Sequence, residues 1–453
     1  MRPIKLLAQA FRLPPLCPLL GEREGPAKRE GEGIFQLRRS SPHPALSPRR
    51  GETRLVFSSL WWVVLIAAFL AGPAVAGEVR VSGFAASELR WFPQSPQFQG
   101  QFSGAEPSLL LSPEIRYRSK DRDTSAVFIP FLRLSGRDDT RTHADIREAY
   151  VATRKGDWDL LVGLNKVFWG VAESRHLVNI INQTDAIEDI DEEDKLGQPM
   201  INLGVQKDWG RVDLYVLPGF RERLFPRSEG RLRAGLIVDD DLARFESGAG
   251  NKHVDFAARY SHYIGDWDLG VSVFHGLSRE ARLLPNATGT ALAPRYDKIT
   301  QLGVDVQYTL DAWLWKFEGI VREGHGDSFA AMVGGVEYTF YQVADSDADI
   351  GVLSEIHLDG RDETRAPPTP FDHDLFLGAR LALNDVDDTQ ALAGAVIDAE
   401  DGTLSFFLEA ERRIGDSWKI EAEARLLGNV DDKNVLAPFK RDSFFNFRLS
   451  RFF

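Results

Sequence analysis

Charge is distributed along this 453-residue chain in a pattern that could sort solutes. Between Trp169 and Pro199 lie Glu173, Asp185, Glu188, Asp189, Asp191, Glu192, Glu193 and Asp194, offset by Arg175 and Lys195. The next long connection, residues 218–252, opens with Arg221, Arg223, Arg227, Arg231 and Arg233 against Glu222 and Glu229. If the acidic segment folds inward and the arginine-rich one lines the facing wall, the two set up a transverse field. Low-dielectric walls focus such a field, which then selects by charge and dipole. Asp185, Glu188, Asp189, Asp191, Glu192 and Glu193, with Arg221, Arg223, Arg231 and Arg233, are therefore the candidate constriction residues. The alternative for the same charges is two solvated surface loops.

Other chemistries find less support. The run Asp189-Ile190-Asp191-Glu192-Glu193-Asp194 offers hard oxygen ligands, but Asp194 stands at the sixth position, where a calcium loop needs glycine. No metal site is expected there. His143, His176, His253, His262, His275, His325, His357 and His373 are scattered without His-Glu-x-x-His spacing, and no Gly-x-Ser-x-Gly occurs, so no motif marks a metalloprotease or an acyl hydrolase. No catalytic residue and no cofactor is assigned, and an enzyme is not expected.

The elements that would position these charges show most clearly at the C-terminus. From Arg441 the chain runs to a terminal Phe453 with Leu449, Phe447 and Phe445 at every second position, and Asn446, Arg448 and Ser450 between them. Successive strand side chains point to opposite faces, so this is a strand with one face in lipid and one in a wet lumen. Arg451 interrupts the apolar face near the strand end, where its stem can reach headgroups. The same alternation recurs upstream. Leu302, Val304, Val306, Tyr308 and Leu310 oppose Gln301, Gly303, Asp305 and Gln307, and Trp418, Ile420, Ala422, Ala424 and Leu426 oppose Lys419, Glu421, Glu423 and Arg425. A dry core rarely tolerates four charges in succession on its hidden face.

Five hairpins repeat one formula, an acidic or glycine turn leading into Trp: Trp158, Trp209, Trp267, Trp313 and Trp418. Asp and Gly tolerate left-handed backbone, and Trp favours the membrane-water boundary. With Phe453 these residues form the expected interface girdle. Burial of the tryptophans in a soluble sandwich is the competing reading, but short turns alternate with much longer connections throughout. The pattern predicts an all-β fold, a transmembrane antiparallel barrel of 18 strands near 78–90, 107–118, 124–135, 143–154, 157–167, 200–207, 210–217, 253–264, 267–275, 298–310, 313–322, 328–342, 348–358, 374–384, 389–398, 402–413, 417–427 and 441–453. Weak alternation from Ala391 to Ile397 leaves 16 strands as the alternative. Short turns follow the even-numbered strands on the periplasmic side and long loops the odd-numbered ones.

On these strands Arg116, Arg118, Arg133, Arg259, Arg322, Arg380 and Arg425 fall on the lumenal face. Asp305, Glu318, Glu337, Glu355, Glu409, Glu421 and Glu423 share it. The two sets balance in number, so salt-bridge bracing accounts for them as well as an anion path does.

The front of the chain reads differently. Residues 1–53 mix Pro, Arg and Gly without periodicity and are expected to be a non-native or disordered extension. Residues 54–76 read as a secretory signal: Arg54, an apolar run from Leu60 to Leu70, and Ala74-Val75-Ala76 for cleavage, the run being shorter than the ~20 residues of a spanning helix. Setting 1–76 aside removes 11 basic and 5 acidic side chains from totals of 54 and 67, so the net charge moves from −13 to about −19. That balance argues against a nucleic-acid partner. It also removes the single cysteine, Cys17, and with it any disulfide.

With the segment Gly163-Leu164-Asn165-Lys166-Val167-Phe168-Trp169-Gly170 closing the fifth strand, and Asn182 and Asp185 in the long loop after it, residues 77–453 resemble porin-like outer-membrane β-barrel proteins of Gram-negative bacteria, in particular uncharacterised ones. The resemblance implies a single barrel in the outer membrane, narrowed by the 169–199 loop, that passes small polar or charged solutes passively. It also implies contact with membrane lipid and lipopolysaccharide, and insertion by the barrel-assembly machinery through the last strand. A plugged barrel acting as adhesin, structural protein or enzyme is the alternative, and oligomeric state and solute stay open. The mixed lumenal charge departs from the basic interior of arginine-lined 18-strand channels for carboxylates or acidic polysaccharides.

Overall fold

The computed structural model describes residues 77–453; the expected extension (1–53) and signal (54–76) lie outside the described residues. Numbered in chain order, the barrel strands are β1 (Gly77–Phe92), β2 (Gly104–Ser119), β3 (Thr124–Ser135), β4 (His143–Lys155), β5 (Trp158–Asn165), β6 (Gln198–Lys207), β7 (Gly210–Pro218), β9 (Val254–Ile264), β10 (Trp267–Leu277), β13 (Lys298–Leu310), β14 (Trp313–Glu323), β15 (Phe329–Phe340), β16 (Asp349–Asp359), β17 (His373–Ala382), β18 (Gln390–Asp398), β19 (Leu404–Ile414), β20 (Trp418–Gly428) and β21 (Phe444–Phe452). Three short loop strands, β8 (Arg244–Phe245), β11 (Arg282–Pro285) and β12 (Leu292–Tyr296), form a separate small sheet. Each barrel strand matches an expected one within three residues at either end. The count is 18, not 16.

Every neighbouring pair is antiparallel, and β21 returns to β1 with Phe84 opposite Phe452 and Trp91 opposite Phe445. The last residue completes the closure: Gly83 N–H donates to the Phe453 carbonyl at 3.1 Å, and Phe453 N–H donates to that of Gly83 at 3.0 Å. A closed ladder leaves no edge and satisfies its own backbone, which is what crossing hydrocarbon requires. Among the described residues no helix is long and apolar enough to cross a membrane.

Burial is inverted relative to a water-soluble fold. Leu302, Val304, Phe317, Val321, Ile420, Phe447 and Leu449 are exposed, whereas Gln301, Asp305, Glu318, Arg322 and Asn446 are buried. Exposed Val, Leu, Ile and Phe recur around the circumference, a continuous apolar belt far beyond what soluble surfaces carry. Trp158, Trp209, Trp267, Trp313, Trp418 and Phe453 are all exposed beside the short turns. Several stack on outward neighbours, as Trp267 does on Tyr308 at 4.4 Å between ring centroids. Arg451, the charge that interrupts the last strand's apolar face, lies over the Trp418 ring at 5.1 Å. The turn-and-loop alternation is broken at both ends: residues 324–328 and 399–403 are short links at the long-loop end, and residues 341–348 and 383–389 are longer connections at the short-turn end.

Candidate functional site

The chain between β5 and β6, residues 166–197, carries the acidic run and folds into the barrel. Asn182 clasps its base. Its Oδ1 accepts from Val167 N–H at 2.8 Å, and its Nδ2 donates to the carbonyls of Asn165 and Leu196, each at 2.9 Å. Asn179 Oδ1 accepts from the N–H groups of Trp169 and Gly170 at 2.7 and 3.0 Å. The loop then meets Glu318 on β14, whose carboxylate accepts from the N–H groups of Val171, Ala172 and Val178 at 2.7, 2.9 and 3.1 Å. Gly170 makes this approach possible, because a Cβ there would press on His176 and on the Glu318 carboxylate. Glu355 on β16 takes Glu173 and Ser174 N–H in the same way, at 2.7 and 2.9 Å.

Apolar packing fixes the loop to one side of the lumen. Trp169, Leu177, Val178, Ile180 and Ile181 form one buried cluster with wall residues that include Met200, Leu217, Phe274, Ile299, Ile320 and Val333. These wall residues belong to β6, β7, β10, β13, β14 and β15, which explains why the lumenal faces of those strands are partly greasy.

The acidic tip reaches the opposite arc and pairs charge by charge. Asp185 meets Arg147 at 2.5 Å, Glu188 meets Arg133 at 2.5 Å, Asp189 meets Arg90 at 3.0 Å and Asp191 meets Arg425 at 2.7 Å. Arg147 is aimed by a β-bulge: Glu148 opposes Ile129 and Ile146 opposes Pro130, leaving Arg147 as the extra residue. Arg133 is fully buried and also binds Glu88 at 2.5 Å, and Glu88 in turn binds Arg141 and Arg448 at 3.2 and 2.7 Å. Glu173 is shared between Lys316 and Arg380 at 3.2 and 2.7 Å.

The arginine stretch does not form the facing wall. Arg223 approaches Glu192 at 3.6 Å, and Arg221 turns to Asp145 at 2.7 Å. Arg231 binds Asp442 at 2.6 Å, and Arg233 donates to the Gln99 carbonyl at 3.2 Å, so both stitch the outer loops together. The opposing cations are instead Arg90, Arg133, Arg147 and Arg425, spread over four strands. Strand parity places Arg90 near the lumen, and the bulge turns Arg147 there. Parity carries no information about their partners, which lie 99 and 38 residues away.

Several of the lumenal candidates are held in ion pairs. Arg259 holds Asp305 with both guanidinium nitrogens at 2.5 and 2.7 Å, Arg322 binds Glu280 at 2.8 Å, and Arg380 stands 3.8 Å from Glu337. Arg116 pairs with its strand neighbour Glu114 near the short-turn end and stays exposed. Exposure then separates the walls. Glu318 is fully buried under the loop, while Glu409 and Glu411 on β19 are 41% and 32% exposed. Along β20, the lumenal residues Lys419, Glu421, Glu423, Arg425 and Leu427 are all partly accessible, from one end of the strand to the other. A cleft at the long-loop rim, lined by Gln94, Ser95, Leu427, Asn429, Lys440 and Arg441, meets this wall at Leu427.

Burial and neighbouring charge set the loop's carboxyls apart. Burial, then the negative charge of Asp189, raises Asp191 well above the usual carboxylate range, and burial followed by Glu409 raises Glu193. Against the same burial, Arg133 holds Glu188 below that range and Arg90 does so for Asp189.

Fold and site together define a closed 18-stranded antiparallel barrel with an apolar exterior, a charged interior and one long loop bound inside it. No protein-family model and no curated protein matches the chain. Solved structures similar in fold include Wzi of Escherichia coli, described as an outer-membrane carbohydrate-binding β-barrel involved in group 1 capsule assembly, at 10% identity and a TM-score of 0.48 over 87% of this chain and 88% of that one. A BenF-like porin from Pseudomonas fluorescens Pf-5 gives 9% and 0.49 over 83% and 98%. OccK3 of Pseudomonas aeruginosa gives 11% and 0.44 over 82% and 95%.

Proposed function

We propose that the protein is an outer-membrane channel for passive diffusion of small polar solutes, narrowed by the 166–197 loop to an off-centre passage along β18, β19 and β20. The observation that carries this reading is the asymmetry of the lumen: the loop packs against β6–β15, touches β20 only through Asp191 and Arg425, and leaves the lumenal residues along β19 and β20 partly accessible. The passage runs between Asp191 and Glu193 on the loop and Glu409, Glu411, Glu421 and Glu423 on the wall. Arg425 and Lys419 are the cations beside them and are already paired. Excess carboxylate in a confined, low-dielectric space concentrates cations, so the channel favours them. Lipid and lipopolysaccharide surround the apolar belt in this reading, and the barrel-assembly machinery inserts the chain through β21.

A second reading, a plugged barrel serving as adhesin, structural element or enzyme, draws on the density of bonds between loop and wall. Conductance separates the two. The purified, folded protein in planar bilayers should show discrete, cation-preferring single-channel steps, and Glu409→Lys should move the reversal potential in a salt gradient toward anions. A folded protein that never conducts would falsify the channel.

A further inference from the structure

Buried carboxylates in this barrel are matched by guanidinium or ammonium groups, as Glu88 is by three arginines, Glu173 by Lys316 and Arg380 and Asp255 by Arg279, or by N–H donors, as Glu318, Glu355, Asp138 and Asp349 are. The long-loop ends of β17 and β18 depart from this rule. Asp372, which ends the loop before β17, Asp374 on β17 and Asp398 on β18 each bring one carboxylate oxygen within 4.8 Å of the others. Among the described residues, none of the three forms an ion pair with a lysine or arginine.

Asp374 decides what the cluster is for. Its side chain is 1% exposed and neither oxygen has a hydrogen-bond partner. Asp398, by contrast, accepts from the N–H groups of Glu400 and Asp401 at 2.7 and 3.1 Å and from Asn434 Nδ2 at 3.1 Å. A bare, buried carboxylate between two others is costly to maintain unless something positive sits beside it.

His357 supplies an independent sign. It is fully buried and points Nδ1 at Asp374 across 3.9 Å, too far for a hydrogen bond, and that nitrogen also lacks a partner. Ser174 Oγ lies 2.5 Å from the Glu355 carboxylate and 2.7 Å from His357 Nε2. The single hydroxyl proton goes to the carboxylate, so His357 donates from Nε2, and as a neutral imidazole it carries a lone pair on Nδ1. A lone pair facing an unpartnered carboxylate leaves a place for a cation and its bound water.

We propose that Asp372, Asp374 and Asp398 hold a divalent cation at the outer rim of the barrel, and that calcium is the ion that fits. The donors are all anionic oxygens. Three carboxylates that meet at the rim from two strands and a loop suit calcium, which takes about six to eight oxygens in a flexible geometry at about 2.3–2.6 Å, better than magnesium, which demands a tight octahedron at about 2.0–2.1 Å and keeps most of its waters. His357 Nδ1 accepts from a water on the ion, which links the site through Ser174 to the inward loop. Asn434 ties it to the loop between β20 and β21. The ion therefore braces three mouth segments around the entrance to the lumen.

The test is calorimetric titration of CaCl2 into the full-length folded protein in detergent after EGTA treatment, with MgCl2 as the comparison. One saturable calcium site per chain is expected, in the sub-millimolar to millimolar range, about 10⁻⁴–10⁻³ M, typical of extracellular sites. Asp374→Asn should weaken it about tenfold or more, since a formal ligand charge is lost. Thermal unfolding gives a second readout. Calcium should raise the unfolding temperature of the wild type but not of Asp374→Asn, while in EGTA the variant should melt above the wild type because one uncompensated charge is gone. Should Asp374→Asn not fold, Asp372→Asn, at a partly exposed position, takes its place. No saturable heat from calcium, equal binding of magnesium, or wild-type affinity in the variant overturns the proposal.

Discussion

Arg133 concentrates the energetics of the inward loop in one side chain. It is fully buried, and its guanidinium joins Glu188 on the loop to Glu88 on β1. Replacing it with methionine keeps much of the volume but leaves two buried carboxylates short of a partner, and breaking a buried pair from one side costs about 3–5 kcal/mol. Arg133→Met should therefore lower the stability of the barrel by that order in urea unfolding and make single-channel currents noisier as the loop tip loosens. Glu188→Gln should cost less, because Arg133 keeps Glu88. Equal losses in the two variants would show that the network does not center on the arginine. Arg133 was legible from the sequence as a lumenal residue, since strand alternation fixes its face. Its partner was not, because a pairing across 55 residues of chain depends on how the loop bends.

At the scale of elements, strands were far more legible than loops. A period of two is enforced by lipid on one side and polar contacts on the other, so it survives in Leu302–Leu310 and Trp418–Leu426 without any tertiary knowledge. It blurs where the lumenal face is itself apolar. In β18 the lumenal residues are Leu392, Gly394 and Val396, opposite outward alanines, and Gly394 leaves the space taken by the ring of Phe376. That strand is real, and its weak pattern reflects packing inside the wall. The inward loop posed the opposite difficulty: its charges were visible, but the expectation that residues 221–233 would face them failed because Arg231 and Arg233 are held by the mouth loops. The loop nevertheless contains a separable lobe. Thr184 bridges Lys195, and Asp185 N–H donates to the Asp194 carbonyl at 2.7 Å, so residues 184–195 leave and return at neighbouring points. Excising them and joining the ends with a short turn should preserve the Trp169–Ile181 packing. It should enlarge the single-channel conductance and change the cation preference, because Asp191 and Glu193 go with the lobe. Unchanged currents would place the lobe outside the solute path.

For the whole molecule, the consequence is a division of labour between two sets of carboxyls in one loop, which acid should expose. Glu188 and Asp189 sit below the usual carboxylate range because Arg133 and Arg90 outweigh burial. Groups with depressed values contribute stability above their unfolded values and lose it only as pH falls through the depressed ones. Asp191 and Glu193 are displaced upward, by burial and then by Asp189 and Glu409 respectively. For raised groups the sign reverses: protonation favours the folded state, and that contribution fades as pH rises through the raised values. Acidification therefore protonates the second set before the first, because the raised groups titrate above the usual carboxylate range and the depressed ones below it. The loop should stay anchored while the passage loses negative charge. As pH is lowered but before the anchors are reached, reversal potentials in a salt gradient should drift toward weaker cation preference, with unitary conductance in symmetric high salt nearly constant and the urea midpoint unchanged or slightly higher. Glu409→Gln should flatten the drift, because it removes the charge that lifts Glu193. A sudden rise in conductance on acidification, in place of a gradual drift, would mean that the anchors release before the lining neutralises, and the assignment of the two sets would have to be reversed.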